Sequence, residues 1–349
     1  LRIALDATYS VDPRPSGIAV YSRELSDGLA ASHAEDQFLH CYRAKQLRRS
    51  LLGSGRASAP NVQRRLLLPG FPTFKADLFH ALNQRVDRRP AKKVVSTFHD
   101  LFVITGNYSS SAFQQRFIAQ ARQAAQNSDL IITVSRFTAG QVMSLFNVEP
   151  SRIRVIPHGV RMPMPKPQAQ REKVILFVGA LQVRKNIARL VEAFEAVPAH
   201  HHWRLVLAGS PTGYGADAIL RRIEQSPCCD RIDVTGYVST AALEELYARA
   251  SVFAFPSLDE GFGMPVLEAM AHGIPVITSN RSALPEVAGD AALLIDPESR
   301  EHLADALLRL TGDPQLRESL ANLGRTHAAL YPWRLAVDTT YSVYRQLLG

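Results

Sequence analysis

Two glutamates, Glu260 and Glu268, bracket the run Asp259-Glu260-Gly261-Phe262-Gly263-Met264-Pro265-Val266-Leu267-Glu268. It follows an apolar strand pattern and leads into a helical one. Gly261 and Gly263 let the backbone approach a ligand closely and offer amides to its oxygens. Pro265 suits the first turn of a helix. Glu268 shares its helix with Leu267, Met270 and Ala271, so that helix should be largely buried. A buried carboxylate is costly unless it is partnered. Glu268 therefore needs either an internal partner, as in a salt bridge, or a ligand.

A pair of cations, Arg184 and Lys185, falls in the first strand-to-helix loop of the second half. In an exposed loop they suit a phosphate, or they are simply solvated. Cations sit poorly at a helix N-terminus unless an anion joins them. In the first half, the turn Pro15-Ser16-Gly17 precedes a helical pattern and leaves amides suited to phosphate, although a lone turn glycine is the commoner explanation. His99 follows the apolar run Val94–Phe98, as a structural or a functional histidine.

The elements that position these residues alternate along the chain. Strands are predicted at 3–5, 94–98, 130–134, 155–156, 174–178, 204–208, 232–235, 252–255, 275–278 and 292–295. Helices are predicted at 21–31, 114–127, 135–146, 187–196, 216–225, 241–248 and 266–272, with Ser135 capping its helix. That alternation predicts parallel sheets in an α/β fold. Three prolines in Arg161–Pro167 mark a stiff linker. The expected organisation is residues 1–165, then 166–330, then a C-terminal helix over 331–349. Ligands of doubly wound sheets bind at the carboxyl ends of the strands, and two facing sheets would place the site in a cleft.

The chain has 349 residues, 46% of them hydrophobic and 21% charged, which excludes a disordered chain or a coiled coil. No apolar run approaches the ~18 residues of a membrane span, and no signal peptide is expected. Cys41, Cys228 and Cys229 are too few for a disulfide framework, so reduced thiols in a cytoplasmic protein are expected. His200-His201-His202 reads as an exposed loop rather than a metal site. The net charge of +8 is concentrated between Gln37 and Phe98, where thirteen basic residues face only Asp77 and Asp87. Such a field attracts an anionic membrane surface or a phosphorylated acceptor. Nucleic acid is the weakest partner, because no nucleic-acid-binding motif accompanies the charge.

Glu260-x7-Glu268 around Gly-Phe-Gly resembles the signature of the family-4 retaining glycosyltransferases of GT-B fold. The resemblance extends through Ser16-Gly17-Ile18, Phe98-His99-Asp100, Val134–Thr138, Ile153–Val160, Val178–Asn186, Thr235–Ser239 and Ser282–Val287. It is most similar to the mannosyltransferase-B-like branch of bacterial polysaccharide synthesis. The resemblance implies two Rossmann-like domains facing across a cleft. The donor would be a nucleotide-diphosphate sugar, GDP-mannose or a UDP-sugar, and the acceptor a glycan or lipid-linked hydroxyl.

By the same resemblance, Glu268 would hold the ribose hydroxyls. Glu260, with Gly261 and the amides of Phe262 and Gly263, would hold the transferred sugar. Arg184 and Lys185 would neutralise the diphosphate as its leaving oxygen gains charge. Gly17 would meet phosphate, His99 would line the donor-sugar pocket and Val238 would offer backbone groups to the base. Ala180 stands where many members carry arginine, so Arg184 would take part of that load. The chain has no Asp-x-Asp pair, so no metal and no cofactor besides the donor is expected. The acceptor would be chosen by loops at about 40–75 and 101–115, and the enzyme would work on the inner face of the membrane. The alternatives are a GT-B sugar-nucleotide epimerase and a non-catalytic nucleotide-sugar-binding protein.

Overall fold

The computed structural model describes residues 1–52, 59–68, 74–164 and 171–349. The chain divides into two compact units. The first is Leu1–Gly159 with Trp333–Gly349, and the second is Val160–Pro332. In the first unit β1 (Arg2–Asp6) is followed by α1 (Gly17–Ser32), β2 (Gln37–Tyr42), α2 (Ala44–Leu52), β3 (Val62–Leu66) and β4 (Leu78–Ala81). Then come β5 (Lys93–Phe98), α3 (Phe102–Thr105), α4 (Ser111–Asn127), β6 (Leu130–Thr133), α5 (Arg136–Phe146) and β7 (Ile153–Val155).

The second unit opens with β8 (Val174–Val178), α6 (Ile187–Phe194), β9 (Arg204–Ala208), α7 (Ala216–Glu224), β10 (Ile232–Gly236) and α8 (Thr240–Arg249). It continues with β11 (Val252–Phe255), α9 (Met264–Ala271), β12 (Val276–Ser279), α10 (Leu284–Ala288), β13 (Ala292–Ile295), α11 (Arg300–Gly312) and α12 (Pro314–Ala328). The last helix, α13 (Trp333–Leu348), belongs to the first unit.

Both sheets are parallel throughout. Their strand orders are β3-β2-β1-β4-β5-β6-β7 and β10-β9-β8-β11-β12-β13. The order therefore reverses between β1 and β4 in one unit and between β8 and β11 in the other. Loops leaving those strands part to opposite faces and open a crevice there, where ligands of such sheets bind.

Strand alternation builds the core of the first unit. Ile3 and Leu5 face a cluster with Leu25, Leu29, Val337 and Tyr344. Ala4 faces the other way, with Leu39, Phe79, Ala124 and Ile131. The C-terminal helix is thus part of this core: Ala336, Val337, Val343 and Tyr344 are all buried.

The stretch 40–75, expected to be a loop, contains β2's end, α2 and β3, which corrects that expectation, while 53–58 and 69–73 lie outside the described residues. Its charges hid the periods. Arg64 and Arg65 interrupt β3, an edge strand that tolerates charge, and Lys45, Arg48 and Arg49 dominate α2. Of the expected linker, Arg161–Met164 has no helix or strand, and 165–167 lie outside the described residues, as does Arg56 of the basic segment. His200 and His201 lie in a short turn and are not buried, with the two rings edge to face. Cys41, Cys228 and Cys229 are free thiols.

Candidate active site

Arg184 and Lys185 leave β8, and Glu260 leaves β11, so they meet at the strand reversal of the second unit. Lys185 Nζ donates to Glu260 Oε1 at 2.5 Å, and Arg184 Nη1 reaches Glu260 Oε2 at 2.8 Å. Arg184 also donates to the Asp259 carbonyl, while the Leu258 amide donates back to the Arg184 carbonyl. The expected exposed loop is in fact buried: Arg184 is 7% and Lys185 9% exposed. The reason is the turn Val183–Lys185, closed by Asn186 in the left-handed region. Asn186 Nδ2 donates to the Pro256 and Pro297 carbonyls at 3.1 and 2.7 Å, folding both cations back over the sheet. The Lys185 ammonium stands 4.6 Å over the Phe255 ring.

Burial alone would raise the Glu260 pKa, but Arg184 and then Lys185 override it and hold the carboxyl down to about 2. Its backbone amide donates to Ser282 Oγ at 3.0 Å. Ser282 has φ 55°, a conformation that costs a non-glycine residue energy and recurs at functional sites. Gly263 has φ 105°, and a Cβ there would lie 2.6 Å from Leu284 Cδ2. Only glycine fits where Gly261-Phe262-Gly263 enters α9.

Glu268 lies on α9, half-buried, and its partner is a hydroxyl rather than a cation. Tyr247 of α8 donates to Glu268 Oε2 at 2.8 Å. Burial raises the Glu268 pKa, Tyr247 lowers it and Glu244 raises it again, for a net rise. Val238 is half-buried, just beyond β10. The Glu260 cluster, Glu268 and Val238 thus all follow strands of one sheet.

In the first unit, Gly17 is exposed as the first residue of α1, capped by Ser16. His99, just after β5, is buried and its Nε2 lies 2.9 Å from the Leu82 carbonyl. A carbonyl only accepts, so Nε2 carries the proton. Burial pushes the imidazole down to about 4, against the opposing pull of that carbonyl. The ring is therefore neutral at pH 7, with Nδ1 as acceptor. In that state Nδ1 can accept a hydrogen bond from a hydroxyl. The His158 ring stacks on it at 5.3 Å, and the Tyr21 ring meets it edge-on at 4.7 Å.

A family model described as "Glycosyl transferases group 1" matches residues 163–327, and one described as "Glycosyltransferase Family 4" matches 15–162. Over 289 residues the chain is 31% identical to the O-antigen chain mannosyltransferase B of Escherichia coli, spanning 78% of this chain and 75% of that protein. The chain belongs to the group 1 glycosyltransferases. This glycosyltransferase is accordingly an enzyme of the hexosyltransferase class. Its fold is the GT-B fold. Sucrose-phosphate synthase from Thermosynechococcus elongatus superposes with a TM-score of 0.78 at 23% identity, covering 99% of this chain and 98% of that one. Anabaena HepE in complex with UDP-glucose gives 0.76 at 17%, covering 99% and 100%.

Several residues of the glycosyltransferase's candidate site were not legible as such. Tyr247, Phe255 and Ser282 acquire their places only when strands and loops distant in sequence converge. Ser282 opens a motif that matched the family, yet nothing in the motif gives its hydroxyl a task. Tyr21, His80 and Thr97 carry no local signal. Among the described residues, no three of His, Cys, Asp or Glu converge into a metal-sized group.

Proposed function

We propose that this glycosyltransferase is retaining and metal-independent, and moves a hexose from a nucleotide-diphosphate sugar to a glycan or lipid-linked hydroxyl in polysaccharide assembly. The observation that carries the reading is the Arg184–Glu260–Lys185 cluster at the strand reversal. It supplies two fixed cations where a diphosphate would lie, and a carboxylate beside them for sugar hydroxyls. GDP-mannose is the first candidate donor, from the likeness to an O-antigen mannosyltransferase, and a UDP-sugar is the second.

In this reading Arg184 and Lys185 hold the diphosphate in place of a divalent ion. Glu268, already bonded to Tyr247 through Oε2, accepts from the ribose. Val238 offers backbone groups to the base, and the amides of Gly261, Phe262 and Gly263 face the sugar with Glu260. His99 Nδ1 accepts from a sugar hydroxyl, and the amides at Gly17 meet phosphate. The bond from the anomeric carbon to the diphosphate breaks, and its electron pair goes to the β-phosphate oxygen. The acceptor oxygen bonds the same face of that carbon, and its proton passes to the departing phosphate. Both oxygens of Glu260 are held by cations, which disfavours its use as a nucleophile and supports front-side attack.

An anionic membrane fits the first unit. In α2, Lys45 and Arg48 are exposed beside Leu51 and Leu52, which are 62% and 73% exposed. A basic helix end with bare leucines suits an acidic lipid surface. Among the described residues no helix is long and apolar enough to cross a membrane.

The test is a thermal-shift panel of nucleotide sugars, followed by transfer assays with and without EDTA. A ligand at 100 times its Kd stabilises by about 2.7 kcal/mol. GDP-mannose or one UDP-sugar should raise Tm and then be turned over in EDTA. Loss of turnover in EDTA that Mg²⁺ restores would overturn metal independence. Conversion of the donor to its epimer without acceptor would overturn transfer.

A further inference from the structure

The floor of the first unit carries a buried polar chain that starts on the C-terminal helix and ends at the rings around His99. Tyr344 Oη lies 2.5 Å from His80 Nδ1. His80 Nε2 lies 2.8 Å from Thr97 Oγ1, and the same hydroxyl lies 2.9 Å from Tyr21 Oη. Tyr344, His80, Thr97 and Tyr21 are all buried. They come from α13, β4, β5 and α1, four elements spread across 324 positions of sequence. The Tyr21 ring then packs against His99 at 4.7 Å and His158 at 4.9 Å.

The first residue of α13 reaches the same rings. Trp333 packs on Tyr21 at 6.4 Å and on His158 at 6.2 Å. Its backbone comes so close that a Cβ on Gly159 would lie 2.4 Å from Trp333 Cα. That approach accounts for the glycine in Pro157-His158-Gly159. One helix therefore touches the surroundings of His99 at both ends, through Trp333 and through Tyr344.

A buried hydroxyl-imidazole chain is expensive unless every member is paired, so its retention needs a reason. We propose that Tyr344, His80 and Thr97 are positioning residues: they fix the Tyr21 ring, and through it the orientation of His99, so that Nδ1 is held toward the sugar hydroxyl it accepts from. Packing alone would fill the space with apolar side chains. A directional hydroxyl at Thr97 holds the Tyr21 ring at one angle and one depth. The inference rests on the reading of His99 as a hydroxyl acceptor.

Thr97→Val and Tyr344→Phe each remove one hydroxyl and keep the shape, and Thr97→Ser restores the hydroxyl. In ¹⁵N-histidine spectra, wild type and Thr97→Ser should show His99 as the Nε2–H tautomer. Thr97→Val and Tyr344→Phe should move the His99 nitrogen shifts, because a loosened Tyr21 ring lets the imidazole tilt away from the Leu82 carbonyl that Nε2 bonds. With the donor identified by the panel, kcat should fall roughly tenfold in Thr97→Val while donor KM stays within about twofold, because misplacement costs turnover more than binding. Folded Thr97→Val with wild-type His99 shifts and wild-type kcat would overturn the proposal. If Thr97→Val fails to fold, Tyr344→Phe alone decides by the same two readouts. His99→Ala with undiminished kcat would instead overturn the reading of His99, while the nitrogen shifts would still decide the positioning chain.

Discussion

Lys185 Nζ and Glu260 Oε1 lie 2.5 Å apart, joining the loop after β8 to the loop after β11. Arg184 holds the second carboxylate oxygen, so removing Lys185 leaves Glu260 paired and the loop folded. Lys185→Ala should therefore keep its fold and lower turnover at least about tenfold, through lost stabilisation of the leaving diphosphate. Glu260→Ala is the harsher change. It leaves two buried cations without their carboxylate, a loss of about 3–5 kcal/mol. Thermal melts should rank wild type, Lys185→Ala and Glu260→Ala in falling order. Near-normal transfer by either variant would overturn the site.

Acid titration reads the same cluster. The Glu260 carboxyl is held down from 4.5 to about 2 in the folded protein. A depressed carboxyl contributes stability that is fully present above its unfolded pKa and lost as pH falls through the folded one. Between pH 4.5 and about 2 the wild type should lose this contribution progressively. Glu260→Gln should lack it, so the two urea-unfolding curves should converge as pH drops. Parallel curves over that window would contradict the assignment.

Tyr247 lowers the raised Glu268 pKa, against burial and Glu244. Tyr247→Phe should push that pKa further up and weaken nucleoside diphosphate binding about tenfold, the scale of one hydrogen bond to a charged group. The acid limb of binding should also move to higher pH. Calorimetry with GDP and UDP from pH 5 to 8 measures both; unchanged affinity and pH profile would remove Glu268 from the nucleotide site.

Deleting residues 331–349 strips Val337, Val343 and Tyr344 from the core of the first unit. The expected product is poorly soluble, or digests rapidly within residues 1–159 under limited proteolysis. A soluble, fully active truncation would contradict the packing.

Vesicle binding tests α2. Reversing Arg48 and Arg49 to Glu should abolish binding to phosphatidylserine vesicles and leave donor binding intact. Leu51→Ser with Leu52→Ser should weaken it at every salt concentration. The wild-type interaction should fade steeply with salt, since the attraction of about 1 kcal/mol per basic residue is screened beyond about 8 Å. Wild type that ignores such vesicles at low salt ends the membrane reading.

Much of the fold was legible because it rests on local periods. Val174–Val178, Arg204–Ala208, Val252–Phe255 and Ala292–Ile295 are strands over those same residues, since short apolar runs between helical patterns have few other ways to be buried. Ser135 caps α5 because its side chain and the orphan amide of Thr138 are near neighbours in the chain. Glu260, Glu268 and the Arg184-Lys185 pair stood out as candidates from residue type and spacing, and the roles expected of them came from the family resemblance. α2, β3 and β4 were not legible, because interleaved arginines and short length masked their periods. α11 was also passed over, although Leu303, Ala306, Leu307 and Leu310 keep a helical spacing.

The partners of the site residues were decided by tertiary structure alone. Lys185 meets a glutamate 75 positions away, and Tyr344 meets His80 across 264. Sequence by itself determined which side chains carry charge, which stretches alternate and where glycine must turn the chain. It did not determine that the cations would be buried against Glu260, that Tyr247 would pair with Glu268, or that His99 would present a lone pair. The physical reason is range: periodicity and capping act over a few residues. Pairing, burial and the shifted ionisation that follows depend on which strands lie side by side, and parallel crossovers bring together residues that no local pattern connects.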